Sequence, residues 1–217
     1  YQAAVLQGDM ARADALLPQV PPLQRGRVAK FLEAQDMPER ALQVATDADH
    51  RFDLAVRLGE FELALEMAQS GPPSGAEARW RTIGDQALAR WNVSLAQACY
   101  ERANDMHSLF LLATAQQDAA LLRQVAAAAR AQGALNLAVA ALTQVGDAEG
   151  VVDVLGAAKR FPEAALFART YAPALVPRAV DAWKQSLAAP QSEKQQQMAE
   201  RIGHPTTMPE LFPEIGP

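Results

Sequence analysis

The chain has 217 residues, of which half are hydrophobic but only 6% aromatic, and its formal net charge is −5. That length suits one or two compact domains or one elongated array. The scattered Lys and Arg, with no basic cluster and no interleaved aromatics, argue against a nucleic-acid surface, and no apolar run approaches the ~20 residues that cross a bilayer.

Alanine makes up about a fifth of the chain. It has the highest helix propensity and lets helices approach closely. β-Branched residues are sparse and never alternate as a half-buried strand would require. The chain is therefore expected to be all-α. The single Cys99 excludes an internal disulfide and suits a reducing compartment. No signal peptide is visible, and Tyr1 falls inside an apparent helix, so the chain reads as a piece of a longer protein.

In chain order, the first predicted helices cover residues 2–7 and 10–17, split at Gly8-Asp9. Residues 22–34 follow, then 37–46, which opens on "QDMPERALQ". Pro38 falls in the first turn, where its missing N–H has no intrahelical partner and its fixed φ suits the helix. Glu39 meets the positive end of the helix dipole. Asp36, three residues before Glu39, is expected to form a capping box with it. The next two helices, 51–58 and 60–69, flank Gly59-Glu60. Glu60, Glu62 and Glu66 are expected on a solvated face, opposite Phe61, Leu65 and Ala68.

"SGPPSG" (70–75) is the one clear loop inside the helical region, and similar patterns on either side make it a longer turn between repeats. Helices are then predicted at 76–90, 93–104, 106–115 and 118–131. Trp80, Ile83, Ala87, Leu88 and Trp91 recur at helical steps and form one apolar stripe expected in the core. Exposed Trp residues would instead mark interaction hot spots. Cys99, among small and apolar residues, reads as a buried structural thiol. The last predicted helices span 134–144, 148–155, 162–170 and 174–187. In "GDAEGVVDVLG", Gly146 reads as a helix stop and Asp147 as the next N-cap, because a phosphate loop would need a preceding strand and a Lys-Ser/Thr. "KRFPEAALFARTY" repeats the Pro-Glu opening with Pro162 and Glu163. Trp183 continues the stripe of Val176, Ala179 and Val180.

Consecutive turn markers lie one helix or one helical pair apart. That spacing predicts an elongated α-solenoid of stacked antiparallel hairpins, tetratricopeptide-like, over residues 1–187. Residues 188–217 read as a polar, proline-rich tail or terminal cap, with one short helix near 193–201. Leu211 and Phe212, between Pro209 and Pro213, lie outside any helical period. They either fold back on the last helix near Trp183 or dock on a partner. His50, His107 and His204 have no neighbours at metal-binding spacing. No catalytic residue, cofactor site or metal site is visible.

Three segments carry a resemblance: "ALQVATDADHRFDLAVRLGEFELALEMA" (41–68), "LAQACYERANDMHSLFLLATAQQD" (95–118) and "FPEAALFARTYAPALVPRAVDAWK" (161–184). They resemble the beta-prime family of coatomer subunits, components of the Golgi vesicle coat. The closing "PELFPE" is similar to that family's "LFP" stretch after the solenoid. Coatomer alpha subunits have a similar solenoid, but the "ARTY…W" segment and the "LFP" tail favour beta-prime. Residues 70–77 depart from the family, where a charged helical lead-in is expected.

The resemblance implies a structural connector that joins beta-prime to the alpha subunit in the coat lattice and contacts other coat subunits, without catalysis. It implies a cytoplasmic protein, peripheral on Golgi membranes and coated vesicles, in transport between Golgi and endoplasmic reticulum. Dilysine cargo signals would bind WD-repeat propellers outside this segment, since no "GH…WD" repeat occurs here. The residues alone leave two other readings open. One is a scaffold of another trafficking, tethering or pore complex. The other is an enzyme on a helical toroid, which would need convergent acids or metal ligands.

Overall fold

The computed structural model describes residues 1–188, 204, 206, 208–211 and 213. Among the described residues there are fourteen α-helices, three short 3-10 turns and no strand. The chain divides into two compact units, Tyr1–Asp105 and Met106–Pro217. The first holds α1 (Gln2–Leu6), α2 (Met10–Leu16), α3 (Pro22–Ala34), α4 (Pro38–Val44), α5 (Ala48–Leu58), α6 (Phe61–Ser70), α7 (Ala76–Ala89) and α8 (Val93–Arg102). The second holds α9 (Met106–Gln116), α10 (Ala119–Ala131), α11 (Leu135–Val145), α12 (Ala148–Ala157), α13 (Phe161–Tyr171) and α14 (Val176–Ala188). Within each unit a helix packs mainly on its neighbours in sequence, the arrangement expected of stacked hairpins. The loop at residues 70–75 lies inside the first unit.

One turn geometry recurs. The residue after a helix enters the left-handed region, and the next residue donates its N–H to a carbonyl five residues back, closing a Schellman motif. Glu60 N bonds Ala55 O at 2.9 Å, Asn92 N bonds Ala87 O at 2.9 Å, and Asp147 N bonds Leu142 O at 3.0 Å. That donor is also the N-cap of the following helix. The Asn92 and Asp147 side chains accept from Leu95 N and Gly150 N. One short turn thus stops one helix and starts the next, which is why glycine-aspartate pairs read so clearly in sequence. Gly8, Gly59, Gly133 and Gly146 fill the left-handed position at several turns; Asp36, Trp91, Asn104, Gln117 and Lys159 fill it at the others.

Most boundaries shift from expectation by one to three residues, and three show why. The fourth helix ends at Val44 because Ala45 (ψ 125°) and Asp47 (ψ 127°) are extended. Asp47 then caps α5 through His50 N at 3.0 Å, three residues ahead of the predicted start. The eighth helix stops at Arg102, two residues before the expected end, and Asn104 (φ 53°) turns the chain. The capping box on Asp36 is absent: Asp36 occupies the left-handed position (φ 59°) and Met37 is the N-cap, without a side-chain bond. Pro38 and Pro162 sit in the first turns of α4 and α13 as expected.

Alanine supplies much of the core. Ala13, Ala29, Ala41, Ala55, Ala64, Ala87, Ala96, Ala113, Ala129, Ala138, Ala141 and Ala168 are wholly buried. At Gly84 even a methyl is excluded, since a Cβ there would lie 2.7 Å from Cε1 of Tyr100. α7 and α8 therefore meet through a glycine and a buried tyrosine whose hydroxyl donates to Asp85 Oδ1 at 2.9 Å.

Candidate functional site

At several places polar side chains link a helix to the next but one, at a recurring interval. Arg40 on α4 reaches Asp14 on α2 at 2.7 Å, 26 residues away. Arg57 on α5 pairs with Glu33 on α3 across 24 residues. In the second unit Arg160, the N-cap of α13, donates to Asn136 on α11 at 2.6 Å, again across 24. Arg178 on α14 donates to Asp153 on α12 at 2.8 Å across 25. The interval is the length of one helical hairpin. Exposed ion pairs contribute only ~0–1 kcal/mol each, so these ties set register more than stability.

The α5–α7 link spans more residues because the 70–75 loop intervenes. Arg90, the C-cap of α7, donates to Leu58 O at 2.9 Å and Arg57 O at 2.6 Å, 32 and 33 residues back. These are carbonyls at the end of α5, which lack intrahelical partners. The guanidinium also lies 5.6 Å from the centre of the Phe61 ring. It occupies the space beside Gly59 (φ +83°), where a Cβ would fall 1.3 Å from its Nη1. Gly59→Ala should therefore suffer twice, through left-handed strain of ~1–2 kcal/mol and through displacement of Arg90. In a thermal-melt cycle with Arg90→Ala, the Gly59→Ala cost should shrink when Arg90 is already absent. Strict additivity of the two would refute the shared contact.

A cleft of about 520 Å3 opens among α3, α5 and α7, lined by Lys30, Glu33, His50, Asp53, Val56, Arg57, Thr82 and Gln86. His50 Nε2 lies 2.6 Å from Glu33 Oε2, and Glu33 also pairs with Arg57. Burial pushes the Glu33 carboxyl upward, but the hydrogen bonds from His50 and Arg57 outweigh it and hold the group below the ordinary carboxylate range. This contribution is fully present above the unfolded value of ~4.3 and is lost as pH falls through the lower folded value. The stability gap between the parent and Glu33→Gln should narrow in acid melts below about pH 4. An equal gap at neutral and strongly acid pH would contradict this account.

The remaining candidates scatter. Cys99 is buried, and burial pushes its thiol up to about 11, so the thiolate form is disfavoured. Trp80 is buried, with the Arg102 guanidinium 4.9 Å from its ring centre. Trp183 is half-buried. Trp91 does not join the core stripe: it is 86% exposed. α7 ends at Ala89, and the left-handed backbone at Trp91 (φ 61°) swings its side chain off the helical face. Glu60, Glu62 and Glu66 are exposed; of the face expected opposite them, Ala68 is buried while Phe61 and Leu65 are half-buried. His107 is exposed. His204 Nε2 lies 3.1 Å from Asp181 Oδ1, bringing that part of the tail against α14.

Leu211 ends a 3-10 turn, Pro209–Leu211, and its side chain is not among those described. Phe212 and the helix expected near 193–201 lie outside the described residues. Among the described residues no three His, Cys, Asp or Glu side chains gather as metal ligands, and no helix is long and apolar enough to cross a membrane.

A family model described as COPA/B TPR domain matches residues 1–184. The chain is 42% identical over 216 residues to coatomer subunit beta' of Drosophila melanogaster, covering 100% of this chain and 23% of that protein. It is 38% identical over 215 residues to coatomer subunit beta' of Homo sapiens, covering 99% and 23%. With coatomer subunit beta'-1 of Oryza sativa subsp. japonica it shares 37% identity over 212 residues, covering 98% and 23%. The chain thus spans about a quarter of the length of these curated relatives.

Proposed function

Since the chain belongs to the COPA/B TPR domain family, we propose that it is a scaffold segment of the coatomer coat, connecting a beta-prime-type subunit to the alpha subunit in vesicle transport between Golgi and endoplasmic reticulum. The observation that carries this reading is the likeness to coatomer subunit beta' along the whole chain. The architecture is compatible with it. Hairpins registered by cross-helix ties offer surface for protein contact. The role is structural, and membrane contact is indirect, through the assembled coat on the cytoplasmic face of Golgi membranes. Cargo recognition belongs to other parts of the longer subunit.

Residues 1–187 form the scaffold in this reading, and residues 188–217 a tail or cap. The direct test mixes the purified chain with the purified alpha-subunit solenoid at micromolar concentrations and follows co-elution and calorimetric binding. A stable complex is expected; two separate peaks and no heat would overturn the reading. The tail is tested by Leu211→Ser with Phe212→Ser. Docking by these residues predicts an unchanged melting temperature and weakened alpha-subunit binding. Capping of the last helix predicts instead a lower melting temperature, since a buried Leu or Phe contributes ~2–5 kcal/mol.

A further inference from the structure

We draw no further inference here: the strongest candidate, the cleft among α3, α5 and α7 lined by Lys30, Glu33, His50, Asp53, Arg57 and Gln86, has its Glu33, His50 and Arg57 engaged in joining α3 to α5, and nothing in the structure shows what covers the rest of it.

Discussion

Leu166→Pro is expected to lower the stability of the second unit by ~3 kcal/mol or more, while Leu166→Ala changes it little. Leu166 lies in the middle of the 11-residue α13. Its side chain is 63% exposed, and the helix buries Ala164, Ala165 and Ala168 instead. Truncation to alanine therefore removes few contacts and gains helix propensity. Proline acts on the backbone: it deletes the N–H bond one turn back and drives its ring against that carbonyl. Pro162 has no such effect, because in the first turn its missing N–H has no intrahelical partner. The same residue type is thus harmless at 162 and damaging four residues on. Ala165→Trp tests the buried face separately, since overpacking a tight contact costs ~1–3 kcal/mol. Melting curves of the variants discriminate. A proline variant that melts with the parent would mean that α13 is not a packed helix.

Local signals were legible in the sequence and through-space ones were not. Pro38, Pro162 and the Gly146-Asp147 pair act within one or two turns of chain, so their roles follow from backbone geometry alone. Helical periodicity likewise separated buried Ala68 from exposed Glu62 and Glu66. Trp91 misled because periodicity assumes the helix continues, and the chain leaves the helix before it. Asp36 misled because one residue type suits both an N-cap and a left-handed turn, and here the preceding helix claims it. The Glu33–His50 contact spans 17 residues and the Arg90 contacts 32 and 33. No local pattern announces such partners until the hairpin interval is known. With that interval of 24–26 residues in hand, the recurring Arg-to-acid or Arg-to-amide pairings become a pattern to look for. The candidate site was least legible. A surface that binds a protein needs no special residue type, and the proposed partner rests on family likeness.

Leu54→Ala and Phe52→Ala should each cost several kcal/mol, yet loosen opposite sides of the first unit. Leu54 is wholly buried in a cluster with Val28, Ala29 and Leu32 of α3, and Ala41 and Val44 of α4. Phe52, two residues earlier on the same helix, belongs to the next cluster, with Ala64 and Ala68 of α6 and Trp80 and Ile83 of α7. α5 therefore has two apolar faces, one for the preceding hairpin and one for the following. Removing a buried Leu costs ~2–5 kcal/mol and a buried Phe ~3–5 kcal/mol, the spread reflecting how far each site collapses. In a stack where each repeat contacts only its neighbours, the damage should stay near the cavity. Native-state amide hydrogen exchange reads this directly. Leu54→Ala should speed exchange in α3 and α4 more than in α6 and α7, and Phe52→Ala should do the reverse. Identical loss of protection across the whole unit in both variants would reject the nearest-neighbour picture and show that Tyr1–Asp105 unfolds as one cooperative block.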